Sequence, residues 1–496
     1  MNDLCLRDLT ELIGGELRLG AMPPLGGQFE PVHRFVADSR IVQEGDLFWG
    51  LTGDNHDGSH FAEDAFLRGA AGAVVSGRTL EPLPGKYSIQ VPDTRCALWQ
   101  VAVASRESFE GSIISVAGGQ SKSTTSRMID AVLGAKLTGH AFDVPDEDAL
   151  PLALAQLNSN ADYAVFELPA VDVDSPLETS RPQIGVVTDL GSGPFLRAGA
   201  DITAWHASQR LLDSLPEEGW AIINGDDVAL RRMAIESNVP VIRVGRGTDC
   251  DLRAESVFCD GSQIWITVDK DRFRLPTACR HHVPAAMAAI AIGRVFDLPS
   301  TEIASGLERF AAIPRQCQAI DGGRFVVIDD TLDSGSDSLR MALAHLRDFV
   351  KSRSRVLVLD ESPSETHWPD DTRRKLGELL VTQFGFELVV LSGRSADITA
   401  QAAINTGMPS DRILVSSDPD EIEKWLVDRL GEGDVVLVKG NTKLACCLVE
   451  RLSRIASEQQ GPVDLNCTGD SARGYTFEAL PFASVLRETD ASLPPG

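Results

Sequence analysis

Short apolar runs alternate with amphipathic stretches along most of this chain, and that alternation is the main guide to its fold. The opening MNDLCLRDLTELIGG spaces its apolar positions as an amphipathic helix, and its acidic residues interrupt the apolar core that a signal peptide requires. Residues 46–51 (DLFWGL) predict a strand, 60–67 (HFAEDAFL) a helix, and 73–75 a further β-prone run. Residues 113–116 form the next apolar run. A Gly/Ser/Thr turn follows it, then a helix over 125–133 with Met128, Ile129, Val132 and Leu133 on one face. Further strands are predicted at 163–166, 184–187 and 221–223. A second set, starting near Ile313, covers 325–328, 356–359, 388–391 and 435–438, with amphipathic helices between. Strands that alternate with helices imply parallel, doubly wound sheets, so the fold class is α/β. Beyond about Gln460 the chain is polar and ends in SLPPG, which predicts a loosely ordered tail.

Length and charge narrow the picture. The 496 residues correspond to about three domains at roughly 150 residues each. The chain has 46 Lys+Arg against 72 Asp+Glu, a net charge of −26, which opposes general binding to nucleic acid or an anionic membrane. A local phosphate site built from backbone amides stays compatible with that charge. No apolar run approaches the roughly 20 residues of a membrane span. The nine cysteines are scattered without a C-x-x-C pair, so neither a zinc ribbon nor a disulfide framework is indicated. Free thiols in a reducing cytosol, and a cytoplasmic location, are expected.

The strongest chemical signal lies at the 113–133 strand–turn–helix, in the segment VAGGQSKSTT that begins at Val116. Loops of this kind wrap phosphates with backbone N–H groups and set them at a helix N-terminus. Gly118 belongs to the loop. Lys122 suits the terminal phosphates, and the hydroxyl of Ser123 or Thr124 suits Mg2+. Ser121 departs from the pattern, because a glycine before the lysine lets the backbone approach phosphate without a Cβ. As a bare pattern, the segment is equally compatible with a Ser/Gly turn that caps a helix. Glu167 and Asp189 follow the strands at 163–166 and 184–187, where open parallel sheets bind ligands. Solvated loop acids are the alternative for both.

Taken together, the motifs resemble the Mur ligase family of peptidoglycan synthesis over about residues 25–455. The first part carries Asp38, Ser39 and Arg40, then EGDLF at 44–48, GDNHDG at 53–58 and GAAGAV at 69–74. The central part carries the phosphate loop, Glu167, TDLG at 188–191, NGDD at 224–227 and an Ala-rich helix after His281. The last carries DDT at 329–331, DSL at 337–339 and GDVVLVKG at 433–440. Within the family the likeness is greatest to the branch that joins D-alanyl-D-alanine to a UDP-N-acetylmuramoyl-tripeptide. The resemblance implies a UDP-sugar-binding-like domain over 1–108 and a central P-loop-type ATPase domain with a parallel sheet over 109–312. A C-terminal Rossmann-like α/β domain over 313–459 and the tail, 460–496, complete the chain.

The resemblance also implies a reaction. ATP phosphorylates the terminal carboxylate of a UDP-sugar-peptide, and an incoming amino acid or dipeptide displaces the phosphate to form an amide. Lys122, Glu167 and Lys439 are the implied catalytic residues, with Lys439 beside the incoming amine; a surface lysine is the alternative for the last. Gly118, Ser121, Lys122, Ser123, Thr124, His281, Arg315, Asp329 and Asp330 are implied to contact ATP. Ser123, Thr124, Glu167 and Asp189 are implied Mg2+ ligands. Asp38, Ser39 and Arg40 are implied to meet the uridine, although an Asp–Arg pair fixing a turn explains them equally. A monomer is expected.

The departures from the family pattern fall on chemistry. Ser121 replaces the loop glycine and Asp189 an asparagine, while a metal-binding histidine falls at Pro194. The lysine that the family carbamylates for a second Mg2+ falls at Ser208. A His-Asn pair is His281-His282, a Gly-Arg pair is Arg315-Gln316, and an Asn-rich turn is LDSGS at 332–336. Losing a carbamate and a histidine strips most of one metal's ligands. Two readings follow: an ATP-dependent acid–amino acid ligase, or a non-catalytic relative that binds a UDP-sugar peptide or a ligase partner.

Overall fold

The computed structural model describes residues 4–22, 25–52, 57–119, 121–144, 149–169, 174–190, 198–235, 237–259, 263–277, 279–332, 336–347, 353–361 and 368–457. Within them lie four sheets. The motif residues 53–56, Gly191, Pro194, most of the 332–336 turn and the 460–496 tail fall outside the described residues.

The first sheet has five strands, in the order Glu16–Leu19, Tyr87–Gln90, Gly72–Val75, Leu47–Trp49, Phe35–Val36. Only Glu16–Leu19 runs antiparallel to its neighbour. Trp49 anchors the core beneath it. Its ring meets Phe35 edge-on at 5.6 Å, and its indole N–H donates to the Thr94 carbonyl at 2.7 Å. That bond ties the sheet to helix Thr94–Glu107, whose N-terminus is capped by the Asp93 carboxylate.

The second sheet is parallel and seven-stranded: Leu252–Arg253, Val241–Gly245, Trp220–Asn224, Ile184–Val187, Ser112–Ala117, Tyr163–Glu167, Gly139–Asp143. After Ser112–Ala117 the chain crosses to the far edge, returns beside it as Tyr163–Glu167, and then adds Ile184–Val187 on the other side. The strand order therefore reverses at Ser112–Ala117, the place where such sheets bind ligands outside their carboxyl ends. Helix Lys122–Leu133 buries Met128, Ile129, Val132 and Leu133 in the same core as helix His282–Val295. Helix Ser300–Arg309 comes so close that a Cβ on Gly306 would lie 2.5 Å from the Val132 Cα.

A three-stranded antiparallel sheet, Ser256–Cys259, Ile264–Val268 and Asp271–Leu275, completes this core and was not expected from the apolar pattern. The last sheet has six strands: Gln318–Asp321, Val326–Asp330, Val435–Lys439, Arg355–Asp360, Leu388–Ser392, Ile413–Val415. Its first pair is antiparallel and the rest are parallel. Helices Ser336–Arg347 and Lys443–Ser457 bury Leu339, Leu343, Leu448 and Leu452 against it. No helix among the described residues is long and apolar enough to cross a membrane.

Candidate active site

At the reversal point, strand Ser112–Ala117 runs into Gly118, which has φ +127°. A Cβ there would stand 2.4 Å from Thr188 Oγ1 and 2.8 Å from the Asp189 carbonyl oxygen, so only glycine fits. The Gly119 N–H donates to that same carbonyl at 2.8 Å, fastening the loop to the segment after Ile184–Val187. Ser121 adopts φ 63°, ψ 9°, the left-handed region, and its side chain gives no capping bond to the helix that follows. The glycine of the family pattern thus suits this position for its backbone as well as for the missing Cβ.

The helix begins at Lys122, three residues earlier than the apolar pattern predicts, so Lys122, Ser123 and Thr124 fill its first turn. Lys122 Nζ folds over the loop and donates to the carbonyls of Gly118 at 3.2 Å and Gly119 at 3.1 Å. Thr124 is buried, and its hydroxyl donates to Gln316 Oε1 at 3.2 Å. Glu167 ends its strand in register with Val116, and Asp189 follows the strand on the other side of the loop. Hydroxyl and carboxylate oxygens are ligands of the kind that Mg2+ takes, and the N–H groups of a helix N-terminus are donors of the kind that phosphate takes. With the cradle around Gly118, these residues fit a Mg2+–nucleotide.

The family's second metal fares differently. Ser208 is 0% exposed, and its hydroxyl has no hydrogen-bond partner among the described residues. An uncharged, enclosed serine supplies no carbamate, so the residues present do not fit that ion.

Several expected contacts are spent within the protein. Asp329 and Asp330 lie inside strand Val326–Asp330, whereas the apolar pattern ended the strand at 328. Asp329 Oδ1 accepts from the Thr331 N–H at 3.1 Å and its hydroxyl at 2.7 Å. Asp330 pairs with Lys439 at 2.8 Å and accepts from the Cys317 N–H at 2.9 Å. Burial pushes the Asp330 carboxyl above its ordinary range, and the ammonium only partly opposes this. Lys439 is 0% exposed and also donates to Ser338 Oγ at 2.5 Å. Its ammonium is therefore closed off in this arrangement rather than presented to an incoming amine.

His281 Nε2 lies 2.6 Å from the Met341 carbonyl, joining the start of helix His282–Val295 to helix Ser336–Arg347 instead of facing a base. Arg315, at φ 66°, donates to the Thr331 hydroxyl at 2.9 Å, the Thr331 carbonyl at 2.8 Å and Cys446 Sγ at 3.0 Å. Gln316, which sequence reasoning passed over as a lost arginine, is the residue that touches the loop. In the first sheet's unit, Asp38 caps the turn Ser39–Ile41 and holds Arg40 through Nε at 2.9 Å and Nη2 at 2.7 Å. The Arg40 guanidinium, then the Arg40 N–H, keep the Asp38 carboxyl below its ordinary range.

A glycine-cradled loop between strand and helix, at the reversal of a parallel sheet, is a P-loop-like arrangement within an α/β architecture. The Mur ligase middle domain family matches residues 116–293. A Bacillus subtilis protein, UDP-N-acetylmuramoyl-tripeptide–D-alanyl-D-alanine ligase, is 26% identical over 88% of this chain and 95% of its own length. The fold is that of MurF from Acinetobacter baumannii (TM-score 0.71, 20% identity, 90% of this chain and 98% of that one). MurF ligase from Thermotoga maritima, solved in complex with ADP, is similar at TM-score 0.68 and 19% identity, over 86% of this chain and 99% of that one. Residues 116–293 thus match the Mur ligase middle domain, and the likeness to UDP-N-acetylmuramoyl-tripeptide–D-alanyl-D-alanine ligases extends over most of the chain.

Proposed function

We propose that this chain is an ATP-dependent ligase that forms an amide bond on a UDP-N-acetylmuramoyl-peptide-like substrate, with a small amino acid or dipeptide as the incoming amine. The observation that carries this reading is the loop from Gly118 to Thr124, held open by glycine at Gly118 and led by Lys122 into a helix N-terminus. Lys122 releases the Gly118 and Gly119 carbonyls to neutralise the terminal phosphates. The loop amides and the helix dipole hold the same charge. Ser123, Thr124, Glu167 and Asp189 hold one Mg2+, which supplies charge compensation for the phosphates. Gln316 meets the Thr124 hydroxyl at the loop, and the buried Asp330–Lys439–Ser338 group fixes the last sheet's carboxyl edge. Asp38, Ser39 and Arg40 take the UDP end of the substrate. The reaction runs in the cytoplasm, on a monomer, through an acyl phosphate.

A second reading, binding of a UDP-sugar peptide or a ligase partner without turnover, is favoured by one observation: the enclosed Ser208 in place of a metal-holding lysine. Phosphate release from ATP separates the two. A ligase releases phosphate only when both the nucleotide-linked peptide and the amine are present, with an equal yield of amide. A protein that binds the UDP-sugar peptide yet leaves ATP intact obeys the second reading.

A further inference from the structure

One residue of the last unit reaches the phosphate loop. Gln316 Oε1 accepts the Thr124 hydroxyl proton at 3.2 Å, across the boundary between the parallel-sheet unit and the last one. Thr124 is 2% exposed and sits in the first turn of helix Lys122–Leu133, whereas Gln316 comes 192 residues later in the chain. The turn that carries Gln316 is fastened to the last sheet from both sides. Ahead of it, the Arg315 guanidinium donates to the Thr331 hydroxyl at 2.9 Å and to the Thr331 carbonyl at 2.8 Å, and the Arg315 carbonyl accepts from the Leu332 N–H at 2.9 Å. Behind it, the Cys317 N–H donates to Asp330 Oδ1 at 2.9 Å. The Gln316 N–H itself donates to the Ile313 carbonyl at 3.2 Å. The backbone of Gln316 is therefore held by the end of strand Val326–Asp330, while its side chain serves the loop of the other unit.

The direction of this bond sets what Thr124 offers a ligand. A threonine hydroxyl has one proton and two lone pairs. With the proton given to Gln316, only the lone pairs are left, and these attract a cation and repel a phosphate oxygen. The same acceptor fixes the rotation of the hydroxyl, so its lone pairs need no reorientation when a cation arrives. A cation on the oxygen draws electron density from the O–H and makes it a stronger donor, as in other charge-assisted bonds. Each contact thus strengthens the other. Removing an outer partner of this kind typically costs about 10–100-fold in metal affinity.

We propose that Gln316 is a positioning residue for the Mg2+ of the bound nucleotide. It orients the Thr124 hydroxyl towards the cation and, through the same bond, couples a filled loop to a docked last unit. This role rests on the reading of the loop as a Mg-nucleotide site, and it holds whether or not the chain turns over ATP. By linkage, the affinity that the docked unit adds to Mg-ATP is returned by Mg-ATP to docking.

Calorimetric titration of Mg-ATP into the full chain tests this role. The variants are Gln316→Met, which keeps the length and removes the acceptor, Gln316→Glu, which keeps an acceptor, and Thr124→Val. Gln316→Met is expected to bind Mg-ATP about tenfold more weakly than the wild type, and Gln316→Glu to stay within about threefold of it. Gln316→Ala, carried alongside, is expected to match Gln316→Met. In a Thr124→Val background Gln316→Met adds no further loss, because the hydroxyl it acts through is gone. Mg-ATP slows hydrogen exchange at the Gln316 and Cys317 amides of the wild type and leaves it unchanged in Gln316→Met. Wild-type affinity in both Gln316→Met and Gln316→Ala overturns the proposal and leaves the Mg-nucleotide reading standing. So does a glutamate variant as weak as the methionine one, or an equal loss in both Thr124 backgrounds. A wild-type chain that binds no Mg-ATP overturns that reading and this role together.

Discussion

Replacing Ser121 with glycine isolates what the phosphate loop asks of its backbone. Ser121 stands at φ 63°, ψ 9°, and its side chain makes no capping bond, so removing it forfeits no contact with the helix. A left-handed conformation costs an L-residue about 1–2 kcal/mol. The added freedom of glycine in the unfolded chain returns roughly 0.5–1 kcal/mol of that. The net expectation for Ser121→Gly is a gain of about 0.5–1 kcal/mol. For a unit of this size that corresponds to a rise of about 1–4 °C in its melting transition. Ser121→Ala keeps the Cβ and the strain, so it stays within about 0.5 kcal/mol of the wild type. Differential scanning calorimetry on the three proteins reads the effect, and Mg-ATP titration reads the second consequence, tighter binding for the glycine variant alone. The reasoning is refuted if Ser121→Gly melts at or below the wild type, or if alanine gives the same rise.

Lys439→Met leaves the Asp330 carboxylate buried without its cation and is expected to cost about 3–5 kcal/mol in urea unfolding; adding Asp330→Asn recovers part of the loss. Gly118→Ala drives a Cβ to within 2.4 Å of Thr188 Oγ1 in a left-handed position, so it destabilises the chain by about 1–3 kcal/mol and abolishes nucleotide binding in a filter assay. The Asp93 carboxylate caps helix Thr94–Glu107, and the Cys96 N–H followed by the Arg95 N–H hold its pKa below the ordinary range. The folded state therefore favours its charged form. The stability Asp93 contributes is present above the unfolded carboxylate pKa and is lost as pH falls through the lower folded value. Asp93→Asn keeps the acceptor and flattens that part of an acid-unfolding curve.

Local pattern found the central parallel strands, because each is a short apolar run with a helix or loop after it, and it missed strands such as Gly139–Asp143 and Leu252–Arg253, whose polar residues break such a run. It missed the sheet formed by Ser256–Cys259, Ile264–Val268 and Asp271–Leu275 for a specific reason. The tight turn joining its last two strands uses Asp269 and Lys270, at φ 49° and 74°, in place of the Asn-Gly or Asp-Gly that usually marks such a turn. The strand–turn–helix around Gly118 was legible because Gly118, Lys122, Ser123 and Thr124 are close in sequence and lie in one turn and the helix start after it. The roles of Lys439 and Asp330 were not. Lys439 meets Asp330 through the register of neighbouring strands and Ser338, 101 residues away, through the packing of helix Ser336–Arg347 on the sheet. His281 and Arg315 stood at positions where the family resemblance implied nucleotide contacts, and their bonds to Met341 and Thr331 depend on how two units pack.

The proposed ligase reaction requires the loop to bind Mg-ATP although Ser121 stands where the family pattern has glycine. Isothermal titration of Mg-ATP into the purified chain, with Lys122→Ala alongside, tests this most directly. Micromolar binding to the wild type that disappears in the folded variant is the predicted result. A wild-type chain that is folded by its melting curve and gives no binding at millimolar Mg-ATP contradicts it.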